Sequence, residues 1–486
     1  MKTLKFLLPI LLIIALISSC KKDVLITDAA AKLNFSADTI MFDTVFTTVG
    51  SSTRNLMVYN NHNQKINIAN ITLATGNNSR FRLNINGKSG RSISNVEIAA
   101  NDSMFIFVEV TVDPNNATTP FIISDSIIFT TNGNLQNVKL VAFGQNANFI
   151  YTTPGSLFTG YYPDDTVLKN NLPYVVYGYL PVIKRLNIDS GCRFYFHANS
   201  GIVVFSGATL KINGALGHEV YFQGDRLEIE YREVPGQWDE ILFSNLDPSN
   251  LTNPNKPGSK GNVINYAIIK NGSIGIEADT VFNTTDTTLI INNTIIENMS
   301  TAGIVGKGTR IIGTNSVFAN CANACGALTL GGGYSFRHCT FANYWGLSAT
   351  QRTTPALLLN NYYRTPDSVY HVRPLDSAYF GNCIVYGILD DEVGLDFHTA
   401  AYNYYFDTDL MKQKTAFTGN YTHNLFLNQD PLFKDYSALI NNYKLGIGSN
   451  AIGKGDFNIM NRGTTLINDI LGNPRGTTPD LGAYQH

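Results

Sequence analysis

The sequence predicts an all-β chain in two parts, a β-sandwich followed by a parallel β-helix. Three observations carry that expectation. In the first third, apolar residues alternate with polar ones at a period of two, the signature of half-buried strands. Beyond residue 150 the alternation gives way to short apolar triplets separated by Gly and Asn. No window of the first part shows the 3.6-residue period of a helix.

Composition agrees. Of 486 residues, 15% are charged, against about 25% in an ordinary soluble domain. Polarity comes from Asn, Thr, Ser and Gly instead. Hydrophobic residues make up 44%, which excludes a disordered chain. Lys plus Arg is 35 and Asp plus Glu is 37. That balance argues against a nucleic-acid partner, which needs a basic face to neutralise phosphates. There are 25 Tyr and 28 Phe but only 2 Trp. An amide-rich, aromatic-rich, charge-poor chain fits an extracytoplasmic β protein. Length suggests about three domains, or two if one is a repeat.

Met1 to Cys20 form an address. Lys2 and Lys5 are a positive start, and Phe6 to Ile17 is a twelve-residue apolar run. A spanning helix needs about 20 such residues, so this is a signal peptide over residues 1–19. Ile17-Ser18-Ser19-Cys20 resembles the lipobox of bacterial lipoproteins. The resemblance implies that Cys20 is lipidated and begins a tether over 20–32. A plain secretory signal with a chance Cys is the alternative. Several acyl chains anchor stably where one does not. Lys21-Lys22-Asp23 partly matches the export signal of surface lipoproteins in the Bacteroidetes phylum. The expected location is therefore extracytoplasmic and lipid-anchored at the outer membrane, on either the periplasmic or the cell-surface face.

Residues 33–147 read as an N-terminal immunoglobulin-like β-sandwich. Ile40 and Phe42, Leu56 and Val58, Ile66 and Ile68, then Phe81, Leu83 and Ile85 step by two. Phe105 and Phe107 continue the pattern until Glu109 breaks the line. Gly76-Asn77-Asn78, Asn86-Gly87, Asp113-Pro114 and Asn132-Gly133 mark turns. About seven short strands without Cys follow from this spacing. Phe42-Asp43-Thr44-Val45-Phe46 and Val110-Thr111-Val112-Asp113-Pro114 resemble the leading domain of Bacteroidetes lipoproteins, which serves as a spacer or docking module. A stalk is the expected role, ligand binding the alternative.

Residues 148–486 read as a solenoid. Gly191, Gly201, Gly207, Gly214 and Gly217 sit between short apolar runs, so the chain turns corners rather than reversing. Five blocks align, starting at Asn265, Asn292, Thr314, Arg337 and Gly381. Their starts differ by 27, 22, 23 and 44 residues, a step of about 22 with one coil skipped in the last interval. The second residue of each block is Tyr266, Asn293, Asn315, His338 or Asn382, so an amide ladder is expected. Stacked faces need the whole array for stability.

These features resemble the right-handed parallel β-helix family that includes pectate lyases. Gly207-Ala208-Thr209-Leu210 and Pro235-Gly236-Gln237-Trp238 are typical of its lipoprotein members. Asp430-Pro431-Leu432-Phe433, Asn473-Pro474-Arg475 and Pro479-Asp480-Leu481-Gly482-Ala483-Tyr484 resemble the closing motif of secreted β-helices. Gln485 stands where the usual Glu does, and Ile452-Gly453 where Ile-Asp precedes Gly. A solenoid's open end is an exposed sheet edge, so 148–180 are expected to cap the start and the closing motif, 430–486, to seal the last coil.

Chemistry is harder to read. Asp390-Asp391-Glu392, with Asp396 and His398, is the densest acid cluster. Adjacent Asp390 and Asp391 point to opposite faces of an extended chain, and a solvated turn is the bland reading. His338, His371 and Arg373 are the other catalytic candidates. A loop insertion over 347–377 adds Tyr362, Tyr363, Arg364 and Tyr370, and is the expected binding region. Tyr344 and Trp345 are further glycan-stacking candidates, and core packing suits Trp345 equally. Trp238 reads as packing at a coil edge, and 247–261 as a mobile loop. Cys192, Cys321, Cys325, Cys339 and Cys383 are an odd set, so they cannot all pair within the chain. Cys321-x3-Cys325 lacks a second pair, so no metal is expected. No cofactor is implied, Ca²⁺ entering only for a lyase. A monomer is expected. The first functional expectation is glycan or cell-envelope binding without catalysis. A lyase or glycosidase on acidic polysaccharide is the second, and a structural or adhesive surface protein the third.

Overall fold

The structure is a computed structural model that describes residues 24–160, 163–249, 258–279, 286–346, 352–417, 419, 421–437 and 440–486. The leader, Cys20 and the Lys21-Lys22-Asp23 signal lie outside them, as does part of the 247–261 loop. Nearly all of the regular secondary structure in the described chain is strand. It divides into two compact units between Asn146 and Ala147.

The first unit is a sandwich of six strands against five. Ile66, Ile68, Ile127, Phe129, Val138 and Leu140 of one sheet share a core with Leu56, Val58, Leu83, Ile106 and Val108 of the other. One strand corrects the sequence reading. Along Asp102–Val110 the inward row is Met104, Ile106, Val108 and Val110, all buried. Phe105 and Phe107 belong with Glu109 on the outward row and are 48% and 42% exposed. Both rows are apolar here, so a period of two does not say which row is inside.

The second unit is a parallel β-solenoid with three faces. The first face is an eleven-strand parallel sheet running from Asn148–Ile150 to Phe426–Leu427. The second face runs from Tyr179–Val182 to Val393–Asp396, and the third from Thr166–Leu168 to Thr422–His423. Two long strands, Ala302–Thr314 and Gly326–Arg337, cross from the second face to the third and join both into one sheet. Phe194, Phe196, Phe222, Ile269, Ile296, Phe318, Phe341 and Val385 of the first face point inward and fill the tube.

The five aligned blocks lie at the corner between the third face and the first. Asn265, Asn292, Thr314, Arg337, Gly381 and Asp407 are successive register partners. The residue after each of the first five turns the corner with positive φ: Tyr266 46°, Asn293 49°, Asn315 47°, His338 50° and Asn382 53°. Asn adopts this left-handed geometry more readily than other non-Gly residues, which is why it recurs. The amides bond along the stack, from Asn315 Nδ2 to Asn293 Oδ1 (3.3 Å) and from Asn293 Nδ2 to Asn265 Oδ1 (3.3 Å). A second ladder, Asn271, Asn298 and Asn320, turns the first-to-second corner, with amide bonds of 2.7 and 3.0 Å.

Three expectations are corrected. Arg337 pairs directly with Gly381, so no coil is skipped. The extra residues lie after Asn343, where 347–351 fall outside the described residues, and in a hairpin, Tyr362–Arg364 with Tyr370–Val372. Residues 148–180 are not a separate cap, because Asn148–Ile150 and Thr166–Leu168 already pair in parallel with the next coil. The closing motif does not seal the last coil. It folds back over the first face, where Leu481, Ala483 and Tyr484 cluster with Val317, Ala319, Ala342 and Ile384. Small Ala319 and Ala342 leave room for that layer. Buried Arg475 fastens it, donating to Asn315 Oδ1 (2.9 Å), Gly482 O (3.1 Å) and Ala483 O (3.2 Å). Phe417, Tyr421 and Leu425 pack on the core near the last coil instead. Trp238 packs on Phe196 (4.6 Å) with its Nε1 bonded to Lys270 O (2.9 Å). The five cysteines are buried free thiols.

Candidate functional site

The hairpin leaves the solenoid at the corner after the second-face strand Leu357–Asn360. Asn361 roots it. This buried amide donates to His398 O (3.1 Å) and Ala400 O (3.0 Å) and accepts from His398 N (2.7 Å). At the tip, Thr365 N bonds Val369 O (3.0 Å). Tyr363 and His371 are cross-strand partners, and their rings stack at 4.5 Å and 8°. Tyr370 stacks on His398 at 4.3 Å, with Tyr362 5.5 Å from Tyr370. The Tyr362 hydroxyl donates to Asp396 Oδ2 (2.7 Å), which raises its pKa. Arg364 lies over Tyr370 at 5.5 Å and donates to Ser368 Oγ (2.8 Å). Arg373 is tied to the root through its backbone N–H to Asn361 O (2.9 Å). Tyr363 and Tyr370 are 49% and 42% exposed. The result is an aromatic platform edged by the Asp396 and Asp367 carboxylates and the Arg364 guanidinium. Such a surface can stack sugar rings and bond their hydroxyls.

The structure therefore brings Tyr362, Tyr363, Arg364, His371 and Arg373 together, with Tyr370, Asp396 and His398. It does not bring the other candidates there. His338 is fully buried at a different corner, 3.0 Å from Asn382 Nδ2 through its Nε2. Burial and the charges of Arg475 and Arg337 hold its pKa well below the usual imidazole range, so it is neutral. Asp390 and Asp391 do not form a pair. Exposed Asp390 meets Lys414 at 3.2 Å. Asp391 accepts from Lys414 N, Thr415 N and Thr415 Oγ1, each at 2.7 Å, which lowers its pKa. Glu392 is buried against Arg352 (2.6 Å) and also bonds Ala356 N and Leu389 N. The trio holds turns together. Tyr344 lies under Tyr436 (4.1 Å, 13°), within the closing layer. Trp345 is half-buried beside it.

The sequence reading missed a second cluster, further along the second face. Leu242, Glu277 and Val305 are register partners on consecutive coils. Asp239 and Glu240 precede the first strand, Asp279 follows the second, and Lys307 lies two residues beyond Val305. Lys307 Nζ pairs with Glu277 and lies 3.8 Å from Asp279 Oδ1. Tyr179 OH donates to Asp239 Oδ2 (2.8 Å). Among the described residues, Glu240 Oε2 is buried without a hydrogen-bond partner. Burial and the neighbouring Glu277 push Glu240 up to about 7. Burial also raises Asp279. Burial alone would lower Lys307, but the Glu277 bond and the surrounding carboxylates hold it above its ordinary value. The Glu277-Ala278-Asp279 spacing keeps both acids on one strand face and was the available signal. Among the described residues no group of His, Cys, Asp and Glu has the arrangement to hold a metal ion.

No family model matches the chain, and no curated protein does. Several solved structures are similar over part of it, three of which follow. One is a family 123 glycoside hydrolase from Clostridium perfringens, described for glycolipid glycan hydrolysis, at 11% identity and TM-score 0.17 over 25% of this chain. This chain spans about a third of that protein, 31%. A PapD-like domain of human CEP192 matches at 9% identity and TM-score 0.18, over 26% of this chain and 94% of that one. The catalytic unit of a GH87 α-1,3-glucanase from Streptomyces thermodiastaticus matches at 10% identity and TM-score 0.17, over 77% of this chain and 89% of that one. At these TM-scores the fold description rests on the chain's own strand pairing.

Proposed function

We propose that this chain is a lipid-anchored, extracytoplasmic β-solenoid that binds glycan or cell-envelope material without cleaving it. The hairpin platform carries this reading. Its exposed rings are pre-stacked by partners and rooted by buried Asn361, so little ordering is left for a ligand to impose. His338, Asp390 and Asp391 sit in structural roles away from the hairpin, which favours binding over turnover there. The leader and Cys20 motif supply the address, and the membrane partner is reached through the anchor.

The test uses the chain with Cys20→Ser on acidic and neutral polysaccharides, with and without Ca²⁺. Retarded migration in a glycan gel, without new reducing ends or unsaturated uronates, is the expected result. Product release would overturn it.

One observation favours a second reading, a glycosidase or lyase on an acidic polysaccharide. Glu240 is poised to hold a proton near neutral pH, while Glu277 stays paired with Lys307. A buried carboxyl that keeps its proton near neutral pH is what a general acid requires, and Glu277 on the next coil is its candidate partner. Under this reading Glu240→Gln abolishes product release and leaves retention unchanged.

A further inference from the structure

We propose that the sandwich carries a separate binding site for an anionic sugar residue, on the outer face of its five-strand sheet around Phe107. The site does not depend on the hairpin platform. Phe105 and Phe107 stand side by side on the strand Asp102–Val110, their rings 6.1 Å apart and within 8° of parallel. Met57 is the cross-strand partner of Phe105 and extends the apolar strip. Two exposed phenyl rings in one row are uncommon on a surface that faces only water.

A cavity of about 450 Å³ opens beside Phe107, lined also by Arg82, Asn84, Ser89, Arg91 and Glu109. The register explains the grouping. Asn84 pairs with Phe107 and with Ser89, and Arg82 with Glu109, so alternate residues of three strands converge outward. Among the described residues, Asn84 Oδ1 is buried without a hydrogen-bond partner. An orphan acceptor is costly until a donor reaches it, and a sugar hydroxyl is such a donor. Arg82 is exposed, and Arg91 reaches Ser79 O at 3.5 Å with one nitrogen, leaving other donors of its fork for a ligand. Glu109 opposes them, but it already accepts from Thr53 Oγ1 (2.8 Å). Two guanidiniums against one engaged carboxylate favour an anion, and planar forks suit a carboxylate or sulfate. A phenyl face suits the C–H side of a pyranose ring. A peptide would use the open backbone edge of Lys88–Gly90 instead, whereas this cavity is lined by side chains on the sheet face.

The experiment titrates the full chain carrying Cys20→Ser with a short oligogalacturonate, with its carboxyl-reduced neutral form as control. Phe107→Ser and Arg82→Glu, each made in the chain that also carries Tyr363→Ala and His371→Ala, are expected to weaken acidic binding about tenfold or more. Tyr363→Ala combined with His371→Ala removes the hairpin platform and is expected to leave this binding in place. Arg82 is exposed, so Arg82→Glu tests the site even if Phe107→Ser unfolds. Equal binding of the neutral form, or retention in the Arg82→Glu chain, would overturn the proposal. So would an acidic peptide that binds through the same residues more tightly than the sugar. Loss of binding only in the hairpin variant would assign the acidic sugar to the solenoid instead.

Discussion

His338 shows how much one backbone angle decides. At φ 50° it occupies the same corner slot as Asn293 and Asn315. Asn suits this conformation, and a β-branched residue resists it. His338→Asn should therefore fold with near-parental stability, while His338→Val should cost about 1–3 kcal/mol in chemical denaturation. Glycan retention should survive His338→Asn, since the imidazole faces the closing layer. Glu297 makes a different prediction. It points outward between Lys270 and Ala319, close enough to Tyr443 and Tyr484 for them to feel its charge. Burial raises it from 4.5 to about 7, with Lys270 working against the rise. The folded state thus holds this proton more tightly than the unfolded chain. That preference is complete below the unfolded value and is lost as pH rises through about 7. Glu297→Gln should stabilise the chain at pH 8 relative to the parent and flatten the loss of stability between pH 5 and 8, read from melting curves.

At the scale of elements, the corner ladder was legible in the sequence because the geometry demands particular residues there. Asn at a left-handed corner repeats once per coil, and the register hands it on from coil to coil. The hairpin was legible as an excess of residues over one coil, although the sequence spacing reads that excess as a skipped coil. The Asp239-to-Lys307 cluster was legible only in the Glu277-Ala278-Asp279 spacing and not as a group. Second-face strands begin at Gly201, Ile241, Ile274 and Ala302, intervals too uneven to align without the pairing. The outward turn of Phe105 and Phe107 was hidden because the inward row is equally apolar. The hairpin prediction belongs here. Tyr363→Ala with His371→Ala removes two mutually stacked, solvent-facing rings and no core contact. It should leave the melting curve within about 0.5 kcal/mol of the parent.

For the whole molecule, the closing layer matters most. Arg475 reaches Asn315 across 160 residues of sequence, a contact no local pattern announces. Arg337 adds bonds to Ile459 O and Thr464 O, each 3.1 Å. Asn382 exchanges bonds with Asp456, 2.8 and 2.9 Å. The layer thus ties together coils that parallel pairing alone links only to their neighbours. Arg475→Ala leaves several buried carbonyls without a donor and should cost about 3 kcal/mol or more in denaturant. Protease should then cut first within residues 455–485.

The measurement that bears most directly on glycan binding by the solenoid is a retention comparison. The Cys20→Ser chain and its Tyr363→Ala, His371→Ala derivative would be run in gels containing each retained neutral polysaccharide, which the anionic-sugar site on the sandwich does not take. Retardation of the parent, about tenfold weaker in the derivative, with no product released by either, is the predicted result. Equal retardation of both chains, or a polysaccharide cut by the parent, would contradict it.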